Sequence, residues 1–137
     1  MIQNSIDSLL RTNIIYKLFL VDNSLSDNLR FLKNKDSRII YIHNPSNPGF
    51  GAAHNIAIKK SIDVDSKYHF IVNPDIYFER DVITPMVNYM EQNNDVGMVM
   101  PQILNIDSTM QNLPKLLPSP LGLLLRKLKR PNWYYNK

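Results

Sequence analysis

Tyr68-His69-Phe70-Ile71-Val72-Asn73-Pro74-Asp75 is the stretch whose reading decides the fold. A short apolar run stops abruptly at Asn-Pro-Asp. That pattern predicts a buried strand over 68–72 ending at a polar site, because proline ends a ladder and biases the residue before it to an extended shape. Asp75 then lies just beyond the strand's carboxyl end, the edge where open α/β sheets take their ligands. A hard cation carrying diphosphate oxygens is one ligand that wants a carboxylate there. A turn in which Asp75 bonds its own backbone is the competing reading of the same residues.

Outward from this stretch the chain alternates helix and strand. Ile2, Ile6, Leu9 and Leu10 fall on one helical face. Residues 17–21 read as a buried strand ending at Asp22-Asn23-Ser24, and a short helix is expected over 26–33 with Leu29 and Leu32 inward. Residues 38–42 read as the next strand, ending at His43-Asn44-Pro45. A loop with Asn47-Pro48-Gly49-Phe50-Gly51 follows, then a helix over 52–62 packing through Ala53, Ile56 and Ala57. Asp81 reads as the cap of a helix running to Asn93. Residues 96–100 read as a further strand closed by Pro101, and 121–130 as a final short helix.

This alternation predicts an α/β fold: a mainly parallel sheet with alternating helices. Three polar clusters, Asp22 to Ser24, Asn44 to Gly51 and Asn73 to Asp75, each follow a strand directly, so a parallel sheet brings them to one carboxyl edge. Asp22 there either accepts hydrogen bonds from a base or ribose or closes an Asx-turn. Gly49 and Gly51 either permit close backbone approach to a ligand, with an anion-favouring helix N-terminus beginning at Gly51, or form a tight turn. The glycine spacing is not a dinucleotide fingerprint, and no Gly-Lys-Ser/Thr follows, which disfavours phosphate-loop NTPases. His54 and Asn55 face the site or pack; His43 and His69 lie in strands at non-ligand spacing and read as structural.

Composition narrows the classes. The 137 residues are 44% hydrophobic and 20% charged, the balance of an ordinary globular domain. There is no cysteine, hence no disulfide framework, thiolate zinc site or cysteine nucleophile. No apolar run reaches the ~18 residues of a membrane span and no signal-peptide core opens the chain, so a cytoplasmic location is expected. The net charge of +4 is uneven: residues 1–113 hold 10 basic and 12 acidic side chains, whereas 114–137 hold six basic and none acidic. Basicity confined to the end argues against a nucleic-acid-binding body. The organisation expected is a core over 1–113 followed by a basic, proline- and leucine-rich segment over 114–137.

With these residues on the page, the chain resembles family 2 glycosyltransferases of the GT-A fold, especially the rhamnosyltransferase-like branch. The matching residues are Leu18 to Ser24, Asn47 to Asn55, Asn73-Pro74-Asp75-Ile76 and Gly97 to Pro101. Each motif is weak alone; their order and spacing over 16–113 are specific. The resemblance implies a nucleoside-diphosphate sugar as donor and a divalent metal, magnesium or manganese, as cofactor. Asp22 matches the position that contacts base or ribose, and Asp75 the last carboxylate of the D-x-D-like motif that holds metal and diphosphate. Asn73 takes that motif's first position as an amide. Asn23, Asn47, Gly49, Gly51 and Asn55 complete the expected donor site.

Two departures stand out. The family usually opens with a strand and a Thr-Tyr-Asn-like turn before its first helix, whereas here a helix is expected from residue 1. The family's acceptor-activating aspartate lies well downstream in a Glu-Asp motif, and this sequence carries no acid after Asp107. The sequence therefore reads as truncated at both ends, with the donor half present and no catalytic base identified. The expected function is a glycosyltransferase, or its donor-binding fragment, moving a sugar such as rhamnose to a saccharide or lipid-linked acceptor. A non-catalytic sugar-nucleotide-binding module and an inactive remnant are the alternatives. The leucines and basic residues of 121–130, with Trp133-Tyr134-Tyr135, either cap the fold as an acceptor-side helix or rest on an anionic membrane surface.

Overall fold

A computed structural model of the chain describes residues 1–105, 107 and 109–111. It falls into two compact units, Met1–Met100 and Pro101–Lys137. In the first, the elements run α1 (Ile2–Leu10), β1 (Leu18–Asp22), a 3-10 helix (Arg30–Asn34), β2 (Ile39–His43), α2 (Phe50–Asp63) and α3 (Ile83–Gln92).

The architecture is α/β. Strands β1 and β2 pair in parallel, with Leu18 opposite Ile39 and Asp22 opposite His43. The Leu18 N–H donates to the Arg38 carbonyl at 2.9 Å and the Asn44 N–H to the Asp22 carbonyl at 2.8 Å. The even-numbered residues of β1 therefore face β2, and the backbone groups of Phe19 and Val21 face the opposite edge. The core beside this pair is built from Ile6 of α1, Leu32 of the 3-10 helix and Ile39 of β2, with Ile2, Leu10, Leu18, Leu20 and Leu29 against them. Three sequentially distant segments thus hide their apolar faces together, as helix and strand layers must.

The end of α1 is fastened by side chains. The Arg38 guanidinium donates to the Leu10 carbonyl at 2.7 Å and the Thr12 carbonyl at 2.9 Å, and pairs with Asp36 at 2.9 Å. Two carbonyls left unpaired by the helix end are satisfied this way. Arg11 donates to the carbonyls of Phe78 and Glu79. Asp81 accepts from the N–H groups of Ile83 at 3.0 Å and Thr84 at 3.1 Å, so the expected cap of α3 forms with the carboxylate one residue outside the formal cap Val82.

Three expected elements differ. Residues 68–72 and 96–100 form no paired strand among the described residues, and Ile71 and Met98 are 51% and 86% exposed. A segment becomes strand only beside a partner, and neither has one among the described residues. The helix expected over 26–33 is replaced by the 3-10 helix starting at Arg30. Here the Ser24 hydroxyl lies 2.7 Å from the Ser26 carbonyl and Tyr41 bonds Asp27, which hold the residues before Arg30 in turns.

In the second unit, Leu104 and Met110 form an antiparallel bridge; the Asn105 N–H donates to the Thr109 carbonyl at 2.8 Å and the Gln111 N–H to the Ile103 carbonyl at 2.9 Å. The helix expected over 121–130 lies outside the described residues. Among the described residues, no helix is long and apolar enough to cross a membrane.

Candidate functional site

The parallel pairing brings the first two polar clusters together. Asn44 Nδ2 donates to Asn23 Oδ1 at 2.8 Å, and His43 Nε2 bonds the Ser24 carbonyl at 2.9 Å. Asp22 is only 6% exposed. Its Oδ1 accepts from the Ser24 N–H at 2.9 Å and the Ser24 hydroxyl at 2.6 Å, while Oδ2 accepts from the Tyr41 hydroxyl at 2.7 Å. Burial alone would raise its pKa; the bonds from Ser24 and Tyr41 outweigh that, helped by the nearby His43, and hold the carboxyl below its ordinary range. The Asx-turn reading of Asp22 is thus realised, and the residue stays ionised with one side of Oδ2 still unspent.

Tyr41 reaches a second carboxylate, Asp27 Oδ1, at 2.8 Å. Asp27 also pairs with Arg30, and the Tyr41 and Arg30 bonds hold it below its ordinary range. Burial and the two flanking carboxylates push the phenol well above its usual pKa. Tyr41 and Ser24 therefore support Asp22, Asp27 shares the Tyr41 hydroxyl with it, and neither Tyr41 nor Asp27 belongs to the sequence motifs. The available signal was register: Tyr41 pairs opposite Leu20, two residues before Asp22.

The loop into α2 presents an uncapped helix start. Gly49 takes φ +96°, a conformation that L side chains rarely adopt, and Asn47 takes φ 41°. Gly49 occupies the cap position without a side-chain bond, no acid sits in the first turn, and the first backbone bond is Ala53 N–H to the Gly49 carbonyl. The N–H groups of Phe50, Gly51 and Ala52 have no backbone partner among the described residues, which leaves a concentration of positive potential. The positions where Gly49 and Gly51 would carry a Cβ are open space.

Asn73, Pro74 and Asp75 form an exposed turn closed by the Ile76 N–H and the Asn73 carbonyl at 3.1 Å. Asp75 makes no side-chain bond with any described residue. Asp22, Asn23, Phe50, His54 and Pro74 line one cavity, whereas Asn47, Gly49, Gly51, Asn73 and Asp75 do not. Asn55 is exposed and does not line this cavity, in contrast to His54, whose ring meets Phe50 edge-on at 4.2 Å. His69 bonds Ser61 Oγ at 3.0 Å.

Among the described residues no three His, Asp or Glu side chains converge to cage a metal. The donor set here is one exposed, otherwise unbonded carboxylate, Asp75. That fits magnesium or manganese only as a cation shared with substrate phosphates and water.

The sequence model described as Glycosyl transferase family 2 matches residues 1–136, nearly the whole chain. No curated protein matches significantly, and neither does any solved structure. The family generally uses nucleotide-sugar donors, often with a divalent metal.

Proposed function

This chain belongs to glycosyl transferase family 2, and from that premise we propose that it binds a nucleoside-diphosphate sugar at the β1, β2 and α2 edge. The base or ribose meets Asp22 and Asn23. The diphosphate lies over Gly49 and Gly51 at the start of α2, with Asn47, Asn55 and Asn73 around it. The observation that carries this reading is the pairing of an ionised, buried Asp22 with an uncapped helix start across one cavity. Acceptor and anion-binding groups at opposite ends of a site suit a ligand that has hydroxyls at one end and phosphates at the other.

Asp75 is the proposed metal residue. A bound cation there supplies positive charge to the leaving diphosphate as the glycosidic bond breaks. The chain's own residues orient the donor: the α2 N–H groups hold phosphate oxygens, and Tyr41 and Ser24 fix the Asp22 carboxylate. The sugar proposed is rhamnose and the acceptor a saccharide or lipid-linked saccharide, from the resemblance of the motifs. Contact of 121–135 with a membrane surface is part of the same proposal.

Calorimetry with uridine and deoxythymidine diphosphates, in magnesium or manganese, tests the site. Asp75→Ala is expected to abolish the metal dependence of binding while leaving the melting temperature unchanged, because Asp75 is exposed and makes no side-chain bond with any described residue. Equal metal-dependent binding by parent and variant would overturn the assignment.

A further inference from the structure

Asn44 is the first residue after β2 and is half-buried. All four of its polar groups are bonded, and the bonds divide between two places. Toward β1, its N–H donates to the Asp22 carbonyl at 2.8 Å and its Nδ2 donates to Asn23 Oδ1 at 2.8 Å. Toward the loop before α2, its Oδ1 accepts from the Ser46 hydroxyl at 3.0 Å and its carbonyl accepts from the Asn47 N–H at 3.2 Å. Ser46 and Asn47 are exposed, and among the described residues they make no other hydrogen bond. The loop is therefore tied down through Asn44.

Few side chains can do this. The position needs a donor and an acceptor on one short arm. Aspartate lacks the donor, glutamine carries its amide one methylene further out, and serine offers both functions only from a single atom. The connection beyond Asn44 is stiff as well. Pro45 and Pro48 fix φ at two of the positions between Asn44 and Gly49, and Asn47 holds its positive φ of 41° against the Asn44 carbonyl. A contiguous bonded run thus joins the turn that holds Asp22 to the turn that opens α2, and energetic coupling travels through such runs.

We propose that Asn44 is a positioning residue that couples the two ends of the donor site. A nucleoside that orders Asp22 and Asn23 also sets the turn from Ser46 to Gly49 that receives the diphosphate, and the diphosphate does the reverse. The inference rests on the donor-site reading above and adds a cooperativity that binding at either end does not itself require. Asn44 is assigned no ligand contact; it acts through Asn23, Ser46 and Asn47. Such coupling is reciprocal, so each fragment tightens the other by the same factor.

The experiment is calorimetry on the full chain, without added metal, with uridine as the nucleoside, pyrophosphate as the diphosphate and uridine diphosphate as both together. In the parent, saturating pyrophosphate is expected to tighten uridine about fivefold or more. In Asn44→Ala that factor is expected to fall below about twofold. A purely structural loss lowers each affinity and leaves the factor as it was, so the factor is the decisive readout. Ser46→Ala removes one bond at an exposed residue and keeps the test decisive where Asn44→Ala unfolds. It is expected to leave uridine alone bound as in the parent and to lower the factor at least about twofold. A factor near one in a parent that binds uridine diphosphate overturns the coupling, as does a factor that survives substitution in the folded protein. A parent that binds neither uridine diphosphate nor its fragments overturns the donor-site reading and this inference with it.

Discussion

The Tyr41 hydroxyl lies 2.7 Å from Asp22 Oδ2, and a parallel ladder holds the two residues in place on adjacent strands. It also lies 2.8 Å from Asp27 Oδ1, so one phenol stands between two carboxylates with a single proton to give. The bond to Asp22 compensates a carboxylate that is almost wholly buried. Tyr41→Phe is therefore expected to destabilise the fold by about 1–3 kcal/mol, the cost of leaving a buried charged acceptor short of a donor. Urea denaturation reads the loss. Carboxyl NMR is expected to show the Asp22 titration midpoint rising toward the ordinary range, and an unchanged midpoint would mean that Ser24 alone sets the ionisation.

Arg38 and Asp36 give the acid limb of stability. The Arg38 side-chain and backbone bonds hold the Asp36 carboxyl at about 2, against 3.8 for the ordinary group. A depressed folded-state pKa contributes stability that is fully present above the unfolded value and is lost as pH falls through the folded one. The loss from this pair therefore falls between about pH 4 and 2, and Asp22, shifted the same way, adds to it. Asp36→Asn is expected to flatten the decline of the urea midpoint over that range. Arg38→Met, which also orphans the Leu10 and Thr12 carbonyls, is expected to cost on the order of 2 kcal/mol at neutral pH.

The strands 18–22 and 39–43 were legible to within one residue, since runs of Leu, Phe, Val and Ile bounded by polar residues favour the pleated backbone. The same pattern at 68–72 led to a strand that does not form. Sequence shows the capacity to pair; whether a neighbour exists depends on the rest of the sheet. At the site, Asp22 and the Gly49 turn were legible because short polar residues and glycine have few other uses directly after a strand. Tyr41 was not, because an aromatic in a strand reads as packing, and only the register with β1 turns its hydroxyl into a support for Asp22. The antiparallel bridge of Leu104 with Met110 escaped as well, since its backbone bonds join short segments that show no apolar alternation.

The two glycines of the α2 start separate stability from binding. Gly49 needs its positive φ, so Gly49→Ala is expected to cost about 1–2 kcal/mol from backbone strain alone. Gly51 is already helical and its Cβ direction is open. Gly51→Ala is therefore expected to stabilise by ~0.5 kcal/mol through the unfolded chain. It is also expected to weaken nucleoside-diphosphate binding roughly tenfold, because its methyl occupies the space over the free N–H groups. Thermal melts and calorimetry on one variant give the two signs. A stabilised Gly51→Ala that binds as the parent does would move the diphosphate away from this helix.

Turnover is the sharpest separation between an enzyme and a binding module. The last acid in the sequence is Asp107, and it is already engaged: its Oδ1 accepts from the Thr109 N–H at 3.0 Å and the Thr109 hydroxyl at 2.6 Å. Those bonds hold its carboxyl below the ordinary range, which makes it a weaker base than a free aspartate. General-base assistance is worth ~10²–10⁴-fold in rate. The 137-residue chain is therefore expected to bind donor but to transfer sugar slower by about that factor than a family member with a positioned base. Donor sugar nucleotides, magnesium or manganese and a lipid-linked saccharide, with product counted over time, check this. Asp107→Asn is expected to leave the residual rate unchanged, whereas a fall of a hundredfold or more would identify Asp107 as the base despite its bonds to Thr109.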